Sequence, residues 1–200
     1  MRHIRTLFHL AEAANLTSIL QHGLMSTERL VDSLKTTAEA RRELLVRHRT
    51  DCVQISETIL IRDQKPMPPS ALARALDDGL QPADWFGLLN GFVFFWPDKE
   101  RMLRQLGACG GRPQVLLTFD TDSLVKDFGD FAFVSPINSG NARRRPARRG
   151  LTTFLPYRTW IDAGWPNGAR WRSPAEVVFK HDIPVLTPYL LEISEPVTVL

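Results

Sequence analysis

The stretch Leu7-Phe8-His9-Leu10, followed by Asn15-Leu16-Thr17-Ser18-Ile19-Leu20-Gln21-His22-Gly23-Leu24, governs the reading of the whole chain. Ile4, Leu7, Phe8 and Leu10 make the apolar run that a buried strand needs. Residues 11–22 then predict a helix that buries Ala14, Ile19 and Leu20 at helical spacing. Gly23 takes the position just past its end, where a glycine's tolerance of positive φ closes a helix. His9 is thereby placed at a strand end beside a helix, with open backbone amides nearby. A lone histidine in an apolar strand is more often a satisfied interior residue than a working one. Its role turns on what the rest of the chain supplies.

Two hundred residues suffice for one domain with a sizeable core. A hydrophobic share of 44% and a charged share of 24% exclude wholesale disorder. No run of about 18 apolar residues predicts a transmembrane helix, and the basic N-terminus lacks the apolar segment and cleavage site of a signal peptide. Cys52 and Cys109 stand far apart and fit no metal spacing, so the expectation is a cytoplasmic chain with two free thiols and no structural zinc. The net charge of +3 is unevenly spread, because residues 141–150 hold five arginines: Arg143, Arg144, Arg145, Arg148 and Arg149. Arg41, Arg42, Arg47 and Arg49 form a second group. Clustered arginines commonly meet phosphate, and as commonly they are solvated surface.

The remaining pattern alternates helices and strands. Ser26 or Thr27 caps one long or two short helices over 28–48, with an interruption at Thr36-Thr37. Residues 51–62 switch to a strand or strand pair that ends in Arg62-Asp63 before the proline-rich connector Pro66 to Pro69. A helix capped by Ser70 and another over 81–89 precede the aromatic strand Phe92-Val93-Phe94-Phe95-Trp96. A helix from Lys99 and the strand Gln114–Asp120 follow, then a small helix capped by Thr121 or Asp122. The strand Phe131–Val134 runs into the polar turn Ser135-Pro136-Ile137-Asn138-Ser139-Gly140. Residues 151–171 predict mainly loop carrying Tyr157, Trp160 and Trp165, a candidate substrate-facing element. Late strands begin at Ser173 and Val185, with another over 197–200. Neither a repeat nor a second domain is indicated.

Taken together these segments resemble the DarT-type ADP-ribosyltransferases, and an uncharacterised bacterial family related to them. The resemblance rests on His9 with the Asn15–Leu24 stretch, on Gly91–Pro97 ahead of a helix with Met102-Leu103, on Gln114–Phe119, and on Arg172-Ser173-Pro174-Ala175-Glu176-Val177-Val178. Each piece is weak alone, but their order matches. The resemblance implies a single α+β domain over residues 1–200, with a split β-sheet core flanked by helices and with residues 141–172 facing the substrate. It implies NAD as co-substrate, no metal, and transfer of ADP-ribose to nucleic acid, with a DNA base first among the targets. A toxin or phage-defence setting, with room for an antitoxin partner, comes with the same family.

By that resemblance Glu176 is the catalytic carboxylate. Arg62, which closes an apolar strand, is the first choice for the active-site arginine; Arg47 or Arg49 is the alternative, since the resemblance places that arginine at a helix after the opening motif and the register is lost before the aromatic strand. His9, Asn15, Leu16, Gly23, Phe95 and Trp96 hold NAD. Arg143, Arg144, Arg145, Arg148 and Arg149 bind the phosphates of single-stranded DNA or RNA, and Trp160 or Trp165 stacks on an unpaired base. Two other outcomes stay open at this point. One is the same fold acting on RNA or protein, including RNA 2′-phosphotransferase-like chemistry. The other is a nucleic-acid-binding module without catalysis.

Overall fold

The computed structural model describes residues 3–143, 145–168, 172–195 and 197. The opening strand, β1 (Thr6–Glu12), runs further than the apolar pattern predicts. It stays extended because its antiparallel ladder with a later strand continues through Ala11↔Val115 and Glu12↔Gln114. The predicted helix is correspondingly shorter. A 3-10 turn over Ala13–Asn15 precedes α1 (Leu16–His22). Of the three side chains expected to be buried there, Ile19 is, whereas Ala14 is exposed and Leu20 is 56% exposed.

The helical stretch that follows is two helices, α2 (Thr27–Ser33) and α3 (Ala38–Val46). Ser26 and Thr37 each cap one, accepting from Arg29 N and Ala40 N at 3.2 Å. Lys35, at φ +50, makes the break between them. The strand pair is a hairpin, β2 (Val53–Ser56) and β3 (Ile59–Ile61). Next come α4 (Pro69–Ala73) and α5 (Pro82–Asn90). α4 starts at Pro69, before the expected cap Ser70, since proline's fixed φ suits a first helical position.

β4 (Val93–Phe95) enters α6 (Lys99–Gly107), capped by Asp98. β5 (Gln114–Asp120) enters α7 (Thr121–Phe128), whose cap is Asp120, not Thr121 or Asp122: its carboxylate accepts from Ser123 N at 2.8 Å. β6 (Ala132–Ser135), β7 (Leu155–Pro156), α8 (Tyr157–Ala163), β8 (Glu176–Phe179) and β9 (Leu190–Ile193) complete the chain. The late strand expected from Val185 is therefore confined to β9. Val197 adds one backbone bridge to Gln114.

The strands form two sheets besides the β2–β3 hairpin: β1-β5-β9 and β4-β8-β6-β7. The architecture is a single domain of mixed helix and strand. β1 meets the end of β4 at a backbone bridge, where Phe8 and Trp96, the residue after β4, exchange hydrogen bonds of 2.9 and 2.8 Å. The main core lies between the sheets. Leu7, Phe95, Val115, Phe119, Val177 and Phe179 meet there, with Phe95 edge-on to both Phe119 and Phe179. A second core joins Trp85 and Phe86 of α5 to Phe92 and Phe154. The expected loop with displayed aromatics is corrected here. Tyr157, Trp160 and Trp165 belong to the main core, and both tryptophans are only 6% exposed, so neither stacks on a base. Bulky aromatics at helical spacing in α8 are worth more buried than in water.

Gly23 closes α1 in a conformation unlike the left-handed helical one, at φ +80 and ψ −169. A Cβ there would lie 2.0 Å from the Ile183 carbonyl oxygen. Leu24 and Ile183 exchange backbone hydrogen bonds of 3.0 and 2.9 Å beside it, which leaves no room to shift. Gly23→Ala is therefore expected to destabilise the protein by about 2 kcal/mol or more, read as a melting temperature lower by about 4 °C or more. An unchanged melting temperature would refute this account of Gly23.

Candidate active site

Where β1 leaves β4, a cavity of about 690 Å³ opens between the sheets, the β2–β3 hairpin and α6. That volume suits a ligand of cofactor size. His9 stands at the point of divergence. Its Nδ1 donates to the Phe94 carbonyl at 2.8 Å, in the tautomer that leaves Nε2 as an acceptor. Burial pushes its pKa down to about 4, partly opposed by the bond to Phe94, so the ring is neutral near pH 7.

Glu176 faces the same cavity from the first position of β8 and is only 4% exposed. It pairs with Ser135 of β6, and the turn after β6 folds over it. The Ser139 hydroxyl donates to the carboxylate at 2.7 Å, and the Ser139 amide donates to both its oxygens at 3.2 Å. Burial pushes the Glu176 carboxyl up to about 7, against the pull of the Ser139 donors and of the Arg149 and Arg101 charges. The predicted turn Ser135–Gly140 thus serves to hold a carboxylate.

Arg62 also lines the cavity, at the end of the β2–β3 hairpin. Its Nε donates to Glu12 at 2.9 Å, and it also donates to Gln114. Glu12 is buried and additionally binds Arg112 at 3.3 Å, and Arg112 reaches Asp63 at 3.6 Å. The sequence pattern does not reveal this network, because Glu12 falls within the predicted helix and the structure keeps it in β1. The alternation of Leu10 and Glu12 on one face of β1 is the signal that could have found it.

The two alternative arginines differ: Arg49 lines the cavity with its side chain largely engaged in hydrogen bonds, and Arg47 is not among the lining residues. Arg47 is exposed and paired with Glu39 and Glu43 of its own helix. Arg49 is buried, donating to the carbonyls of Leu44 and Arg62 and to Asn90. Burial lowers its pKa to about 10.

The expected NAD contacts divide. His9, Asn15, Gly23 and Trp96 line the cavity. The Asn15 side chain is engaged with β3, donating to Leu60 O at 2.9 Å and accepting from Leu60 N at 2.7 Å. Leu16 packs against the main core and Phe95 is fully buried in it, so neither lines the cavity. Phe92, Val93, Phe94 and Trp96 line the cavity in place of Phe95.

The arginine-rich stretch divides as well. Arg143 lines the cavity. Arg145 and Arg148 are exposed, with Arg148 paired to Asp77. Arg149 is a correction, since at 2% exposure it is part of the interior. Arg144 lies outside the described residues. Arg101 and Arg104 of α6 add two cations that the sequence did not single out. Among the described residues no carboxylate forms an ion pair with Arg101 or Arg143, and no cluster of three or more His, Cys, Asp or Glu is arranged for a metal.

A family model matches residues 5–190, a span that includes His9, Arg62 and Glu176. The chain belongs to DUF7002, a family of unknown function. No curated protein and no solved structure matches this DUF7002 chain. Its function has to be argued from the cavity itself.

The two buried titratable groups have opposite consequences for stability. The folded protein binds more protons at Glu176 than the unfolded chain does between about 4.5 and 7, so stability is lost as pH rises through that window. At His9 it binds fewer between about 4 and 6.5, so stability is lost as pH falls through that one. Glu176→Gln removes only the first effect. Relative to the parent protein it is expected to gain on the order of 3 kcal/mol between pH 4.5 and pH 8. Urea unfolding at several pH values measures this, and a difference independent of pH would refute the assignment.

Proposed function

We propose that this DUF7002 protein is an NAD-dependent ADP-ribosyltransferase that modifies nucleic acid, with a DNA base as the first candidate target. We further propose that its two diverging sheets are the split sheet of an ADP-ribosyltransferase core. The observation that carries the reading is the convergence of His9 and Glu176, from different sheets, on one cavity edged by cations. Those two residues are the ones the resemblance assigns to nicotinamide binding and to catalysis.

The chemistry asks for little more. The bond between ribose C1′ and the nicotinamide nitrogen breaks, and nicotinamide leaves with the electron pair. A nitrogen or oxygen of the target then bonds to C1′ and loses its proton. Positive charge builds on the ribose along the way, and a carboxylate beside it stabilises that state. Glu176, poised near pH 7 and fixed by Ser139, can stabilise this charge and take up the proton. His9 Nε2 accepts from the carboxamide N–H or from a ribose hydroxyl, and Trp96 and Phe94 offer flat surfaces to the nicotinamide ring. Arg101 and Arg143 supply planar donors for the diphosphate. Arg62 lines the cavity while anchored to Glu12, so its part is to hold one wall with the remaining donors turned inward. Arg143 and Arg145 extend the positive surface away from the cavity, where a polymer backbone would lie.

The test is nicotinamide release from NAD, with and without single-stranded DNA, RNA or extract protein. Release should depend on one of the nucleic acids. Glu176→Ala should keep NAD binding and lose about 100-fold or more in turnover. Arg143→Ala with Arg145→Ala should weaken polymer binding and flatten its salt dependence by about one to two phosphate contacts. Full turnover in Glu176→Ala would remove the catalytic assignment. Dependence on protein instead would change the target. Salt-sensitive binding without any NAD consumption would leave a binding module.

A further inference from the structure

We propose that Arg149 is a positioning residue for Glu176, holding the Ser139 turn whose amide and hydroxyl fix the carboxylate in the cavity. The consequence for turnover rests on the function proposed above, but the effect on Glu176 itself does not.

The geometry is a two-step relay. Nη1 of Arg149 donates to the Ser139 carbonyl and Nη2 to the Asn141 carbonyl, both at 2.9 Å. Nε donates to Ala147 O at 3.0 Å. One guanidinium thus grips the turn at two points and its own loop at a third. The grip is itself anchored, since Arg149 N donates to Ala75 O at 2.9 Å and Asp77 N donates to Arg149 O at 2.8 Å, tying the residue to the end of α4. Trp85 backs it, with the guanidinium carbon 5.9 Å from the ring centroid and the indole N–H reaching Ser139 O at 3.3 Å. From the turn, Ser139 presents both of its donors to Glu176.

The electrostatics fit the same arrangement. A buried guanidinium is costly unless a negative charge compensates it. Among the described residues the Arg149 guanidinium donates to carbonyl oxygens and packs on the Trp85 ring without an ion pair, and the acid whose field reaches it is Glu176. Among the described residues, Arg101 from α6 is the other charge acting on Glu176. The strands on either side of β8, β4 (Val93–Phe95) and β6 (Ala132–Ser135), carry no titratable side chain, and His9 is neutral. Arg149 is therefore placed to favour the ionised form of Glu176 twice, through its own charge and through the donors it holds in place. A residue serving only to tie backbone segments together would need neither.

The experiment is a carbon-13 titration of the glutamate side-chain carboxyls in the full chain, with Glu176→Gln identifying the Glu176 signal. In Arg149→Met, which keeps the volume and the packing on Trp85, the Glu176 midpoint should rise by about one pH unit or more. The acidic limb of any NAD turnover profile should move with it. Ser139→Ala should raise the midpoint too, and Arg149→Met added to Ser139→Ala should shift it less than it does alone. If Arg149→Met does not fold, Arg149→Lys carries the test, because an ammonium keeps the charge but cannot grip both carbonyls; a smaller upward shift is expected. An unmoved midpoint in the folded variant overturns the positioning role, whatever the turnover. A shifted midpoint in a protein that consumes no NAD upholds the role and removes the transferase reading instead.

Discussion

The backbone bridge between Phe8 and Trp96 is the constraint on which the functional part of the structure depends. It is where β1 of one sheet meets the end of β4 of the other. Past it the strands part, and the His9 side chain takes over the next carbonyl, that of Phe94. A continuous ladder between β1 and β4 would have closed the sheet and left no cavity. The parted strands leave backbone groups needing partners, and a ring nitrogen supplies one. The same bond fixes the tautomer of the histidine, so one interaction both opens the cavity and prepares the group that faces it.

Two buried carboxylates then divide the labour. Glu12 is held by Arg62, Arg112 and Gln114, a network that secures the end of β1 to the hairpin and to the start of β5. Among the described residues no arginine is in direct contact with Glu176. Its donors come from a serine, and the nearest buried cation stands one step further back. A carboxylate gripped by two guanidinium groups and an amide has its oxygens taken up by the protein. One held by a hydroxyl and an amide in a poorly solvated place sits close to the balance between its two forms. That contrast, more than any single distance, marks Glu176 as the group available for chemistry.

The arginine-rich stretch shows how one composition serves two ends. Arg143 and Arg145 stay near water, whereas Arg149 is folded inward to grip the turn over Glu176. Nothing in a run of like residues distinguishes the member that will be buried. The burial depends on three carbonyls and an indole ring brought together from distant segments.

Much of the secondary structure was legible because it is local. The β2–β3 hairpin, the aromatic strand and the long strand β5 follow from β-branched and aromatic runs, and the break between α2 and α3 from Thr36-Thr37. Glu176 was legible near the start of a late strand, which the pattern opens at Ser173 and the structure at Glu176, and His9 as the polar member of an apolar one. Other features were not. Glu12 read as helical because only pairing with Gln114 keeps it extended, and Trp160 and Trp165 read as displayed because only the assembled core shows what covers them. Phe95 was preferred to Phe94 although strand alternation separates them, since which face meets the cavity depends on the neighbouring sheet. By itself, then, the sequence determined a domain of mixed helix and strand and, with the resemblance, named His9 and Glu176 among the groups that line its cavity. The tertiary structure alone decided which arginines are free, which are spent inside, and that a serine stands between Arg149 and Glu176. The physical reason is that periodicity and capping act over a few residues, whereas the burial and pairing of charge depend on groups far apart in the chain.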